Sequence, residues 1–310
     1  MADREYDVII VGGGPAGLSA GIYAARARLK SLLIEKAVVG GAVINTGTVE
    51  NYPGFPLGVT GLELTELMNE QAKKFGLEMA TAEVTALELK DDRKVLKTSA
   101  GDFAAKAVIV ASGTERAKLG VPGEEQFIGR GVGFCAICDA CFYRDKVVAV
   151  VGGGNAAINE ALELAKFATR VIVIHRRNEL RATKIIQERA FAMPNMEFMW
   201  NTVVEAIEGD QMVNKIRVRN VVTGEKSVLV VSGIFVAMGS KPNTEFLKGQ
   251  VPLNEAGAVI VNERMETGVA GVLAAGDVRV NSIRQVISAA GDGATAAIFA
   301  EKYIVDKFKH

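Results

Sequence analysis

The sequence predicts an α/β protein, because glycine-rich turns repeatedly join an apolar strand to a helix of small residues. The run "VIIV" at 8–11 leads into one such turn, and "VVAVV" at 147–151 leads into another. A third apolar strand and a long small-residue helix follow near the end of the chain. This order of elements is typical of units that bind dinucleotides.

The size and charge of the chain restrict its class. With 310 residues it is long enough for two domains. Lys and Arg together number 36, as do Asp and Glu, so no excess charge favours nucleic acid or an anionic membrane. The N-terminus lacks the basic region and cleavage site of a signal peptide. We therefore expect a soluble, cytoplasmic protein without nucleic-acid or membrane partners.

The first glycine turn has the spacing of a pyrophosphate-binding loop. Gly12, Gly14 and Gly17 supply the tight turn, the close approach of backbone to phosphate, and the close packing of helix on strand. The next strand, "SLLIEK", carries Glu35, and an acid there can accept hydrogen bonds from ribose hydroxyls. A glycine turn without a ligand would explain the glycines but not the whole order of elements.

The second turn repeats the pattern with a different ending. Gly152 and Gly154 are followed by Ala157 in the third glycine position, and the next strand ends in "HRR", residues 175–177. Basic residues at this point suit a 2′-phosphate, which an acid would repel. The pair of turns therefore predicts FAD plus NADPH, although a solvated helix start would also explain the arginines.

Near the C-terminus an apolar strand over 271–275 runs into Gly276 and Asp277. Arg284 and Gln285 then open a long helix. The Asp277 carboxylate can accept hydrogen bonds from a ribityl chain, although a capping Asp on a surface turn has the same pattern.

The stretch "CAICDAC" places the three cysteines of the chain at 135, 138 and 141. A structural zinc site normally needs four ligands, and both histidines are distant in sequence. An iron–sulfur run would need a fourth cysteine where Asp145 stands. Three inert, buried cysteines also remain an alternative.

The order and spacing of these motifs resemble the bacterial, low-molecular-weight thioredoxin reductases, which are FAD- and NADPH-dependent members of the pyridine nucleotide-disulfide oxidoreductases. The resemblance covers nearly the whole chain, including "VENYPGF", "GRGVGFCAICDACFYR" and "HRRNELRA". It implies two Rossmann-like domains, with an NADPH domain at 116–246 inserted into an FAD domain at 1–115 and 247–310. Gly and Pro in 113–123 and 239–246 mark the two crossings.

The resemblance also implies the site residues. FAD contacts would be Gly12, Gly14, Pro15, Ala16, Gly17, Glu35, Asn51, Gly276, Asp277, Arg284 and Gln285, and NADPH contacts would be Gly152, Gly154, Asn155, Ala156, His175, Arg176, Arg177 and Arg181. His175 receives no catalytic role.

For the cysteines, the resemblance implies a redox disulfide between Cys135 and Cys138. Asp139 would take and return a proton. For Cys141, which is unusual at this position in the family, we expect a small hydrophobe beside Phe142, and the alternative is a reserve thiol that resolves over-oxidation or a stalled mixed disulfide. The implied enzyme is a homodimeric flavoprotein that reduces thioredoxin, after a domain rotation that brings the disulfide and NADPH to the flavin in turn.

Two features leave alternatives open. Gly41 is followed by Ala42 and Val43 where family members often have Gln and Leu, which removes a side-chain amide expected near the flavin. The same core also serves reductases of a peroxiredoxin or thioredoxin-like partner, or reductases fed by a donor other than NADPH. The absence of an extra N-terminal domain favours free thioredoxin, and the arginines favour NADPH. A flavin-binding module without turnover is the alternative outside enzymes.

Overall fold

The computed structural model describes residues 5–46, 48–90 and 92–308, which divide into two compact units. The first unit reaches Glu115 and resumes at Lys241, and the second unit is Arg116–Ser240. The second crossing falls within 239–246, the stretch that the sequence marks as a crossing, and it precedes the domain boundary placed after 246. The reason is that Asn243 already bonds within the first unit, where its N–H donates to the Gly113 carbonyl and its side-chain amide donates to the Ser112 carbonyl.

The first unit is built on one large sheet and three long helices. Its strands are β1 Glu5–Val11, β2 Ser31–Glu35, β3 Thr48–Val49, β4 Val59–Thr60, β5 Glu78–Thr81, β6 Val84–Lys90, β7 Arg93–Thr98, β8 Phe103–Val110 and β9 Thr114–Arg116, the last of which crosses into the second unit. Its first two helices are α1 Pro15–Arg26 and α2 Gly61–Lys74, and 3-10 helices span Gly41–Asn45, Glu245–Leu247 and Gly276–Val278.

The second unit carries shorter elements. Its strands are β10 Val132–Gly133, β11 Val147–Val151, β12 Arg170–Ile174, β13 Met196–Met199, β14 Thr202–Gly209, β15 Val213–Asn220, β16 Lys226–Val230, β17 Gly233–Val236 and the crossing strand β18 Ser240–Pro242. Its helices are α3 Ala136–Asp139, α4 Asn155–Leu164 and α5 Lys184–Phe191, with 3-10 helices at Glu125–Phe127 and Ala140–Tyr143. The chain then completes the first unit with β19 Val272–Ala274 and α6 Val286–Phe308.

The sheet of the first unit has the order β5-β2-β1-β8-β7-β6, and β19 joins it beside the second half of β8. Strands β5, β2, β1, β8 and β19 run parallel, whereas β6 and β7 are antiparallel additions. Helices α1, α2 and α6 bury one face of this sheet, where Leu18, Leu64 and Ile304 are almost completely buried. The carboxyl ends of β1 and β19 therefore lie at one edge, where ligands bind in open α/β sheets.

The second unit has a fully parallel sheet in the order β10-β17-β11-β12-β13, next to a three-stranded antiparallel sheet β14-β15-β16. Helices α3, α4 and α5 pack on one face of the parallel sheet, around Ile158, Leu164 and Ala190. The crossing strands β9 and β18 pair with each other. Among the described residues, no helix combines the length and the apolar character needed to cross a membrane.

Candidate active site and nucleotide sites

The first glycine loop is tight at two of its glycines and open at the third. Gly12 has a φ of +109°, and a β-carbon there would lie 2.3 Å from the carbonyl oxygen of Ala111. A β-carbon on Gly17 would lie 1.9 Å from the Gly12 carbonyl oxygen. At Gly14, which precedes the first turn of α1, the nearest atom would be the Gly41 Cα at 3.9 Å. A side chain therefore cannot fit at Gly12 or Gly17, where the helix meets the strand. It can fit at Gly14, which a phosphate would approach.

Glu35 closes this loop at the end of β2. One carboxylate oxygen accepts a hydrogen bond from the Gly13 N–H at 2.8 Å, and the other accepts one from the Ala37 N–H at 3.1 Å. Pro15 and Ala16 form the buried first turn of α1. The acid thus stands beside the loop in the position where such units bind a ribose.

The two separate segments of the first unit meet at this loop. Gly276 adopts a φ of +78°, and a β-carbon on it would lie 2.9 Å from the Ala16 β-carbon. The turn that carries Asp277 is therefore held against the first turn of α1. Asp277 accepts a hydrogen bond from the Ser282 hydroxyl at 2.9 Å. The surroundings fit a dinucleotide whose pyrophosphate faces the helix N-terminus.

Residues further along this segment also come together. The side-chain amide of Asn51 donates to the Gln285 side-chain oxygen at 3.1 Å, although 234 positions separate them. Arg284 is exposed and has a φ of +60°, which is uncommon for a residue with a side chain. The sequence motifs did not reveal Asp292, which accepts bonds from the Gly276 N–H and the Arg279 guanidinium. Its only sequence signal is a charge in a helix of small residues.

The second glycine loop is crowded by an alanine methyl group. Gly152 has a φ of +151°, and a β-carbon there would lie 2.5 Å from the Ala157 β-carbon. No described atom lies within 4 Å of a β-carbon built on Gly154. Asn155 and Ala156 are exposed in the first turn of α4, and the Asn155 side-chain oxygen accepts from the Thr183 N–H at 2.7 Å. The loop again leaves space at the position where a phosphate would bind.

His175 lies beneath this loop, and three arginines surround it. A β-carbon on Gly153 would lie 2.4 Å from the His175 ring, which is only 4% exposed. Burial lowers the pKa of His175, and the charges of Arg181, Arg177 and Arg176 lower it further, so the imidazole is neutral near pH 7. Its Nε2 has no hydrogen-bond partner among the described residues. A contact between this ring and a nucleotide stays a prediction.

The arginines themselves are available to a ligand. Arg176, Arg177 and Arg181 are all exposed, and the Arg181 N–H donates to the Gly153 carbonyl at 2.7 Å. This bond fixes the Arg181 backbone to the glycine loop. Three positive charges beside an open glycine loop fit a nucleotide that carries an additional phosphate.

The cysteine motif forms a disulfide at the start of a short helix. Cys135 and Cys138 are bonded, with Cα atoms 5.4 Å apart, as the resemblance implied. Cys135 precedes the first residue of α3, and its sulfur faces the Cys138 N–H at 3.3 Å. Cys141 lies outside this disulfide and is exposed, so the prediction that it fills a position as a small hydrophobe is wrong. The reason is that the chain changes from α3 to a 3-10 helix that presents Cys141 and Phe142 at the surface.

The described residues contain no group of three or more His, Cys, Asp or Glu side chains arranged to hold a metal ion.

Asp139 ends α3 in a partly buried position. Burial raises its pKa to about 6, and the charge of Arg116 partly offsets that increase. A β-carbon on Gly133 would lie 3.3 Å from an Asp139 carboxylate oxygen, so this glycine makes room for the acid. Burial and the Asp139 charge raise the pKa of Tyr143 to about 12, which keeps the phenol protonated. Asp139 can therefore exchange a proton near neutral pH.

Sequence reasoning missed Glu160 in α4. Its carboxylate accepts a hydrogen bond from the N–H of Ala136, the first residue of α3. Burial raises the pKa of Glu160, and the nearby charge of Asp139 raises it further. The sequence carries no local signal for this contact, because Glu160 is one of two acids in α4 and the bond spans 24 positions.

Comparisons with known proteins agree with this arrangement. The model of the family "Pyridine nucleotide-disulphide oxidoreductase" matches residues 6–293. A thioredoxin reductase of Peptoclostridium acidaminophilum is 46% identical over 99% of each chain, and one of Bacillus subtilis is 43% identical over 97% of this chain and 96% of its own. The crystal structure of thioredoxin reductase from Streptococcus pyogenes superposes with a TM-score of 0.95 at 40% identity, over 98% of this chain and 100% of the other.

Two glycine loops and a disulfide in one α/β chain define an oxidoreductase that uses flavin and a nicotinamide nucleotide. The chain belongs to the pyridine nucleotide-disulphide oxidoreductase family, and the two relatives named above, which match nearly its whole length, are thioredoxin reductases. The resemblance drawn from the sequence motifs is confirmed.

Proposed function

We propose that this protein reduces the disulfide of thioredoxin through the Cys135–Cys138 pair, with electrons from NADPH and FAD. Bound FAD and NADPH would supply the two electrons that break the disulfide. The observation that carries the proposal is the bonded pair at the start of α3, next to an acid whose pKa is about 6. The relatives of 43–46% identity, which are thioredoxin reductases, support thioredoxin as the partner.

The two cofactors are assigned by charge. FAD fits the loop of Gly12, where Glu35 accepts hydrogen bonds and would bind a ribose. NADPH fits the loop of Gly154, where Arg176, Arg177 and Arg181 are exposed and would bind a 2′-phosphate. The other residues predicted to contact FAD or NADPH would line the same loops. The flavin end of FAD would contact Asn51, Asp277, Arg284 and Gln285.

The cysteines react in two linked steps, which are reduction of the pair and thiol–disulfide exchange with thioredoxin. Reduction of Cys135–Cys138 breaks one S–S bond and takes two electrons and two protons. One thiolate then attacks the thioredoxin disulfide, forms a mixed disulfide and releases a thiolate of the partner. The second cysteine attacks that mixed disulfide, which restores Cys135–Cys138 and releases reduced thioredoxin. Asp139 would hold or return a proton of the dithiol.

Other parts of the proposal come from the resemblance. They are a homodimer, a cytoplasmic location, an FAD domain formed by the two segments of the first unit, and an NADPH domain that rotates about the two crossings. The rotation answers a geometric requirement, because the disulfide and the Gly154 loop belong to one unit and both must reach the flavin.

Single cysteine variants test the proposal. Cys135→Ser and Cys138→Ser are each expected to abolish thioredoxin reduction, since either change removes the disulfide. NADPH should still bleach the flavin absorbance in both variants, because that step precedes the disulfide. Cys141→Ser is the matched control and should keep turnover with the thioredoxin of the same organism. Normal turnover by either of the first two variants, or no bleaching by NADPH, would refute the proposal.

A further inference from the structure

The redox helix is held by an acid that the proposed reaction does not use. Glu160 accepts a hydrogen bond from the N–H of Ala136, which directly follows Cys135. Ala136 has no exposed surface. A buried backbone N–H that loses its hydrogen-bond partner destabilises the folded state. Glu160 therefore fixes the first turn of α3, and with it the backbone between the two cysteines.

Several charged or titratable groups face Glu160 from the neighbouring elements. Asp139 on α3 and Glu163 on α4 interact with it unfavourably, whereas Arg116 on β9 interacts favourably. Tyr143, in the following 3-10 helix, faces Asp139 and stays protonated because its pKa is about 12. The guanidinium of Arg116 also lies 4.8 Å from the ring centroid of Phe134, just before Cys135. Glu160, which holds the helix of the cysteine pair, thus faces two acids and one arginine.

Two opposing influences act on the reduced cysteines. The Cys138 N–H, which the Cys135 sulfur already faces, favours a thiolate at Cys135. A carboxylate bonded to the first N–H of the same helix opposes that effect, because like charges disfavour each other. A dithiol whose thiolate is strongly stabilised is a poor reductant, since its reduced form becomes too stable. An acid at this position would keep the pair reducing.

We infer that Glu160 is a positioning residue of the redox centre, which holds α3 through Ala136 and whose negative charge keeps the reduced Cys135–Cys138 pair strongly reducing. This inference rests on the proposed redox function of the pair. The hydrogen bond and the charge are two separable contributions of the same side chain. The hydrogen bond sets the geometry of the helix, and the charge sets the proton and electron affinity of the cysteines.

The decisive variant is Glu160→Gln, which keeps an oxygen that can accept from Ala136 but removes the charge. The full-length flavoprotein would carry Cys141→Ala, so that only the pair reacts. After reduction with dithiothreitol, the rate of iodoacetamide alkylation of Cys135 and Cys138 is followed against pH by mass spectrometry. We expect the alkylation profile of Glu160→Gln to move to lower pH by about 0.5–1 unit, which is about three- to tenfold in proton affinity.

A second measurement equilibrates the pair with mixtures of reduced and oxidised dithiothreitol. Glu160→Gln should be reduced more readily, with a three- to tenfold change in the equilibrium constant in the direction of the dithiol. Flavin content should not change, because Glu160 belongs to the second unit. Glu163→Gln is the matched control on the same helix, and we expect it to shift neither measurement, because Glu163 is paired with Lys166.

Glu160→Ala separates the two contributions. It should reproduce the shift of Glu160→Gln and, in addition, lower the unfolding temperature, which Gln should restore. An alkylation profile and an equilibrium constant for Glu160→Gln that match the unmodified pair would overturn the inference, as would an equal shift in Glu163→Gln. These measurements use small thiols, so they are independent of whether thioredoxin is the partner.

Discussion

The two glycine loops share a backbone design but end in opposite charges. In the first, Gly12 and Gly17 have no space for a side chain, and the loop is closed by the Glu35 carboxylate. In the second, the third position accommodates the methyl group of Ala157, and the loop is bordered by exposed arginines such as Arg177. Both loops leave space at the middle glycine, where a phosphate would approach.

This comparison separates two tasks of a nucleotide site. The strand–turn–helix backbone determines where a pyrophosphate can bind, and it is the same in both units. The residues at the end of the second strand determine which ribose is accepted, and there the units differ. The second unit also carries the disulfide, so under the proposed function selection of the nucleotide and reduction of the partner would belong to the same part of the chain.

The largest difference between the loops should appear when alanine replaces glycine. Gly17→Ala would place a methyl group 1.9 Å from a backbone oxygen that cannot move away cheaply. We expect it to cost about 3 kcal/mol of the free energy of unfolding, the upper end for overpacking, and to lose bound flavin. Gly154→Ala is the matched change in the second loop and should keep both flavin and unfolding temperature, because its methyl group has free space. Flavin absorbance and thermal unfolding measure both, and similar behaviour of the two variants would contradict the comparison.

The charge difference is tested by removing the arginines. The double variant Arg176→Ala, Arg177→Ala should raise the KM for NADPH about 10- to 100-fold, since it would remove exposed charge-assisted hydrogen bonds that together contribute about 1.4–2.7 kcal/mol. The KM for NADH should change little, because NADH has no 2′-phosphate. Arg170→Ala, at the opposite end of β12, is the control and should leave both values unchanged. Equal activity of the unmodified enzyme with NADPH and NADH would contradict the proposal that the arginines beside the second loop select NADPH.

Asp139, the acid beside the disulfide, should make the free energy of unfolding depend on pH. The pKa of Asp139 is about 6 in the folded protein against an ordinary 3.8, so the folded state binds this proton more tightly. The contribution of this tighter proton binding to the free energy of unfolding is fully present below pH 3.8, and it is lost as the pH rises through 6. Asp139→Asn should therefore gain up to about 3 kcal/mol of stability relative to the unmodified protein at pH 8, and much less at pH 4.

Chemical unfolding at the two pH values measures the effect of Asp139→Asn on stability. Turnover of the same variant should be slower, and the pH dependence near 6 should disappear. A stability difference that is the same at pH 4 and pH 8 would show that Asp139 does not titrate in this range.

The smallest effect is expected at Cys141. It is exposed and outside the disulfide, and the proposed exchange needs only two thiols. Cys141→Ala should keep turnover within about twofold and should still gain two titratable thiols on reduction by NADPH. Loss of turnover, or a Cys138–Cys141 disulfide found by peptide mapping, would show that the third cysteine takes part.

The sequence by itself determined the features that depend on local pattern. The glycine spacing, the strand before each loop, and the acid or arginines after the second strand lie within short stretches, so their chemistry is readable from residue order. The helix expected to open with Arg284 and Gln285 begins just after them, at Val286, and the strand expected to carry Glu35 ends there.

Only the tertiary structure decided the features that join distant residues. The turn that carries Asp277 meets the first turn of α1, Asn51 bonds to Gln285, and Glu160 holds the redox helix across 24 positions. The buried environment that raises the pKa of Asp139 likewise comes from packing. Such contacts are fixed by how helices pack on the sheet, and no pattern within a short stretch of sequence records which acid reaches which backbone N–H.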